Sequence, residues 1–156
     1  MATDRFSALL EELGSAIKMK LAPDAHNACL IRYPDKLGVR MDPDQTGEFL
    51  YILIEIEKPG EGRYRESVMR EALRANGLPP PRKGIFCFNL NKNLLMLFDQ
   101  IPFEELTGLQ LAEIIEGMSQ KARLWRDSIS RGEVPAYDMG ESPKAASRSE
   151  GMFGIR

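Results

Sequence analysis

The stretch Gly84–Pro102, GIFCFNLNKNLLMLFDQIP, constrains the fold more than any other part of the chain. Two apolar runs flank Asn91-Lys92-Asn93. Asn accepts the left-handed backbone of a tight turn, and Ile, Phe, Leu and Met suit pleated strands, so a β-hairpin is expected here. A hairpin with one face in water alternates apolar and polar residues. This one does not. Phe86, Phe88 and Leu90 share one face of the first strand, with Ile85 and Cys87 on the other; Leu94, Met96 and Phe98 oppose Leu95 and Leu97 on the second. Both faces need a cover.

The rest of the chain supplies helices and three more strands. Phe6, Leu9, Leu10, Leu13 and Ile17 recur at helical spacing and predict an amphipathic helix over 4–20. Pro23-Asp24 ends it. HNACLIRY (26–33) reads as a strand, Pro34-Asp35-Lys36 as a turn, and 37–41 as the hairpin partner. Residues 42–47 form a loop before a third strand over 49–57, FLYILIEIE. Val68, Met69, Ala72 and Leu73 mark the apolar side of a charged helix over 63–77, stopped at Gly77. Pro79-Pro80-Pro81 forbids its continuation. After the opening hairpin, Leu106, Leu111, Ile114, Ile115, Met118, Ala122, Trp125 and Ile129 describe one long helix over 103–131.

The order α-β-β-β-α-β-β-α does not alternate strands regularly with helices. It points to an α+β fold, a twisted and mostly antiparallel five-stranded sheet packed with three helices. At 156 residues one domain is expected, over 1–136. From Tyr137 the composition turns to Gly, Ser, Pro and charge, so 137–156 is expected to be a disordered tail. Its last residues, GMFGIR, are either a short docking segment or an idle terminus.

Little in the sequence points to catalysis. The single histidine, His26, and Cys29 fall on opposite faces of a strand and cannot chelate one metal, so no zinc site is expected. No nucleophile elbow accompanies His26, and PGEG lacks the spacing of a phosphate-binding loop. Asp42-Pro43-Asp44-Gln45-Thr46-Gly47 imitates half of a calcium loop, but Leu53 stands where the closing Glu belongs. A non-enzyme without cofactors is expected. A net charge of −2 and a pI near 5.6 give no electrostatic footprint for nucleic acid. No apolar run reaches membrane-spanning length, so no membrane insertion is expected, and the acidic N-terminal stretch is not expected to act as a signal peptide. Cys29 and Cys87 fit buried free thiols of a reducing compartment, so a cytoplasmic location is expected. The surplus apolar surface instead suggests a protein interface.

Several segments together carry a likeness. FSALLEELG, PDAHNACLIRY, the hairpin closed by a proline, and the ending EIIEGMSQKARLWRDSISRGEVP resemble the class I type III secretion chaperones, the CesT/SycE-like family, over about 4–136. The resemblance implies a non-catalytic, cytoplasmic protein of a bacterium with a type III secretion system. It would bind an extended N-terminal segment of a secreted effector or gate protein and keep it competent for export. It also implies a homodimer, or a heterodimer with a related small chaperone, and contact with the secretion ATPase. Carried onto this chain, the dimer surface would use Val68, Met69, Leu73, Phe86 and Phe88. Cargo would use Leu9, Leu13, Cys29, Ile31, Val39 and Met41. Leu95 and Leu97 would pack on the chain's own helices. An assembly adaptor with one fixed partner and a small enzyme are the alternatives.

Overall fold

The computed structural model describes residues 2–141. The chain forms α1 (Ala2–Ile17), β1 (Cys29–Arg32), β2 (Gly38–Pro43), β3 (Phe49–Glu57), α2 (Arg63–Asn76), β4 (Ile85–Asn89), β5 (Leu94–Pro102) and α3 (Gly108–Ser130). The order matches the expected α-β-β-β-α-β-β-α. The strands make one five-stranded sheet, β1-β2-β3-β5-β4, so β1 and β4 are its edges. β1 pairs antiparallel with β2, Ile31 opposite Val39, and β2 pairs antiparallel with β3, Val39 opposite Ile54.

Element ends shift where side chains compete with backbone pairing. The first strand is shorter than expected because Asp24 turns the chain: its Oδ1 accepts the N–H groups of His26 and Ala28, and Asn27 takes a φ of 59°. α3 begins at Gly108, five residues later than expected. Thr107 and Gln110 bond reciprocally there, Gln110 N–H to Thr107 Oγ1 and Thr107 N–H to Gln110 Oε1, closing a capping box. In the 42–47 connection the Asp44 carboxylate accepts the N–H groups of Glu48 and Phe49, so this carboxylate shapes a turn.

Packing divides the described residues into two units, 2–54 with 98–119, and 55–97 with 120–141. In the first, Phe6 of α1 meets Phe103 edge-to-face with centroids 6.3 Å apart, and the Arg5 guanidinium donates to the Phe103 carbonyl at 2.7 Å. Gly108 lies so close to α1 that a Cβ there would stand 2.3 Å from the Glu12 Cβ, and its N–H donates to Glu12 Oε1. In the second unit, Phe86 of β4 packs on Trp125 of α3 at 4.1 Å between centroids.

The expected tail divides as well. Residues 137–141 are placed in turns within the second unit; the remainder of that expectation, including GMFGIR, lies outside the described residues.

Candidate interaction surfaces

Strand alternation decides which side chains reach the surface of the first unit. The inward set is Cys29 and Ile31 on β1, Val39 and Met41 on β2, and Leu50, Ile52 and Ile54 on β3, all buried. Leu9 and Leu13 of α1 are buried too. The six residues expected to bind cargo therefore come together, but beneath the surface, in the core of this unit. The opposite row carries Leu30, Arg40 and Leu53, which the registers place side by side, and then Asp42 and Tyr51. Leu30 is 49% exposed, and Tyr51 and Leu53 are half-buried. Tyr51 stacks on half-buried Phe98 of β5 at 5.8 Å. Arg40 and Asp42 pair at 2.8 Å along this row.

The result is a mixed outward row in which Leu30, Leu53, Tyr51 and Phe98 supply the apolar surface and Arg40, of the Arg40–Asp42 pair, stands between Leu30 and Leu53. Its residues were missed in the sequence, although the parity was visible. Leu30 shares its face with Arg32, and Leu53 faces Arg40 across the sheet; a buried row would not carry two arginines. Near the end of α1 an open cleft of about 630 Å³ is lined by Lys18, Met19, Lys20 and Leu21.

In the second unit, Met69 and Leu73 of α2, Phe86 and Phe88 of β4 and Leu95 of β5 line one groove of about 140 Å³. That volume admits an apolar side chain but falls below the roughly 300–1,000 Å³ of small-molecule sites. Of the five residues expected at a dimer surface, Leu73 is 69% exposed and Met69 and Phe88 are half-buried, whereas Val68 and Phe86 belong to the core. The hairpin's face assignment is corrected here. Phe86 does not stand on the side away from the chain's own helices; it packs on Trp125 and shares the groove with Leu95. The more open side of β4 carries Ile85, 38% exposed, and half-buried Cys87.

Asn76, at the end of α2, is a second residue that pattern reading missed. Its Oδ1 accepts the Phe86 N–H at 2.7 Å and its Nδ2 donates to the Phe86 carbonyl at 3.0 Å. The Arg65 guanidinium lies 5.8 Å from the Phe88 ring and donates to Asn93 Oδ1. Burial pushes the Cys29 thiol above its usual range, helped by the charge of Asp24, and burial does the same to Cys87. Both thiols are free and are poor nucleophiles at neutral pH.

Three helices and a five-stranded antiparallel sheet in the order α-β-β-β-α-β-β-α are the fold of a secretion chaperone. The chain belongs to the Tir chaperone protein (CesT) family, which it matches over residues 8–126. Membership makes it a non-catalytic type III secretion chaperone of bacteria. No curated protein sequence matches it. Among solved structures it is similar to one in the HopA1–SchA chaperone–effector complex, at 20% identity and a TM-score of 0.67, covering 81% of this chain and 97% of that one. It is also similar to one in the ExsC–ExsE complex, at 20% identity and a TM-score of 0.63 over 81% and 95%. A third is in the complex of the Yersinia pestis type III secretion chaperone SycH with a fragment of YscM2, at 18% identity and a TM-score of 0.58 over 75% and 96%. No helix among the described residues is long and apolar enough to cross a membrane.

Proposed function

We propose that this chaperone works in the cytoplasm of a bacterium with a type III secretion system. There it binds an extended N-terminal segment of an effector or gate protein and holds it ready for delivery to the secretion ATPase. The observation that carries the reading is the outward row of the sheet, exposed Leu30 with half-buried Leu53, Tyr51 and Phe98, in a chain whose family is a chaperone family. An extended segment presents alternate side chains to such a row without a strict sequence being read. The cargo contact thus falls on the outward row, and Leu9, Leu13, Cys29, Ile31, Val39 and Met41 support it from beneath. The chaperone pairs with a second copy of itself through Leu73, Met69 and Phe88 around the α2–β4 groove; a related small chaperone in place of that copy would use the same surface.

Co-expression with candidate effectors tests the reading. Effector recovered in the medium should fall when the chaperone carries Leu30→Glu and Leu53→Glu, and export at the wild-type level from that strain would sink it.

A further inference from the structure

After α3 the chain returns across the second unit, and residues 133–141 are tied down along their length. The Tyr64 hydroxyl donates to the Glu133 carbonyl at 2.6 Å, and the Trp125 indole N–H to the Met139 carbonyl at 3.0 Å. Pro135 is buried. At the far end Lys121 and Glu141 form an ion pair whose side chains are 0% and 2% exposed. The Lys121 amine also sits 4.7 Å from the centroid of the Phe86 ring, and Glu141 accepts the Lys83 N–H. Gly140 has a φ of +89°, and a Cβ there would lie 2.9 Å from the Lys121 Cα, so this position suits glycine alone.

The middle of the segment reaches α2. The Tyr137 N–H donates to Glu71 at 3.1 Å, and the Arg74 guanidinium lies 4.3 Å from the Tyr137 ring. Glu71 and Arg74 pair with each other at 3.2 Å. These residues bracket Leu73 in the sequence, the most exposed apolar residue of the α2 groove. An exposed Glu–Arg pair on a helix is weakly held on its own. A buried pair is costly to break, and the Lys121–Glu141 pair anchors the strand of chain that orders Glu71 and Arg74.

We propose that residues 133–141 are a latch that positions the α2 surface for subunit pairing, with Tyr137, Lys121 and Glu141 as its positioning residues. The inference rests on the pairing through α2 proposed above. Ordering an interface before contact removes part of the entropic cost of binding. A helix whose rim is already fixed therefore pairs more tightly than one whose rim must be ordered on contact.

Sedimentation over a dilution series of the full chain tests both readings separately. Leu73→Asp probes pairing itself, and Tyr137→Ala, Tyr137→Phe and Gly140→Val probe the latch. Tyr137→Ala should weaken pairing roughly fivefold, the scale of one cation–π contact, while Tyr137→Phe keeps the ring and pairs like wild type. Gly140→Val should weaken pairing further and speed hydrogen exchange over 137–141, with the circular dichroism spectrum unchanged. A wild-type chain that stays monomeric, or a Leu73→Asp chain that pairs normally, overturns the pairing reading and the latch with it. Weakened pairing in Leu73→Asp beside normal pairing in Tyr137→Ala overturns the latch alone. Should Gly140→Val fail to fold, the contrast between Tyr137→Ala and Tyr137→Phe decides the matter, and equal pairing of those two contradicts the latch.

Discussion

The side-chain amide of Asn76 bonds both the N–H and the carbonyl of Phe86, so the last residue of α2 caps the outer edge of β4 as a neighbouring strand would. An edge strand with free backbone groups invites pairing with other chains, and this one is closed at that residue by a side chain. Asn76→Ala leaves two partly buried backbone groups without their partner. The expected loss is about 1–3 kcal/mol in urea unfolding, and a midpoint within error of wild type would contradict the role given to the amide.

Gly108 sets helix propensity against packing. Gly→Ala in a helix stabilises by about 1 kcal/mol on propensity. Here the added Cβ would stand 2.6 Å from the Glu12 carbonyl carbon and 2.7 Å from the Leu13 nitrogen, which are backbone atoms that no rotamer change can move. Packing wins. Gly108→Ala should lower stability by about 1–3 kcal/mol, read as a lower melting temperature.

Asp24 gives a pH signature in the turn before β1. The N–H of Ala28, and then that of His26, hold its carboxyl below the reference value of 3.8. A depressed acid stabilises the turn fully above its unfolded value and loses that contribution as pH falls through the folded one. The Asp24 carboxyl resonance should therefore titrate with a midpoint below 3.8. A midpoint at or above that value would mean the turn does not hold the carboxylate.

Lys121 and Glu141 should behave as a coupled pair. Burial lowers the Lys121 amine from its usual value, against the opposing pull of Glu141. Lys121→Met strands a buried carboxylate and should cost about 3–5 kcal/mol, whereas Lys121→Met with Glu141→Leu should be close to neutral or stabilising. Chemical denaturation of the singles and the double closes the cycle; additive losses would show that the two groups do not interact.

Much of this was legible in the sequence. Apolar periodicity located all three helices and five strands, because burial of one face is what makes each element stable. Ends were less legible, since they depend on local side-chain bonds such as those of Asp24 and of Thr107 with Gln110. Cys29, Ile31, Val39 and Met41, expected at a cargo surface, are the more hydrophobic set of β1 and β2 and lie in the core, because hydrophobicity identifies core before it identifies interface. Leu30, Tyr51 and Leu53 become visible as surface only once the strand registers align them. Tyr137–Glu141 carry a composition that suggests disorder. Their anchoring depends on Lys121 and Trp125, which are 20 and 14 positions from Glu141 and Met139 respectively, and no local pattern announces such contacts.

The central claim is that the outward row of the sheet holds the cargo. Isothermal titration of an effector's N-terminal segment into wild type and into the Leu30→Glu, Leu53→Glu chain tests it most directly. The account predicts an unchanged melting temperature, because neither side chain is core, and binding weakened at least about tenfold, the equivalent of 1.4 kcal/mol. An unchanged Kd in a folded double variant would contradict it.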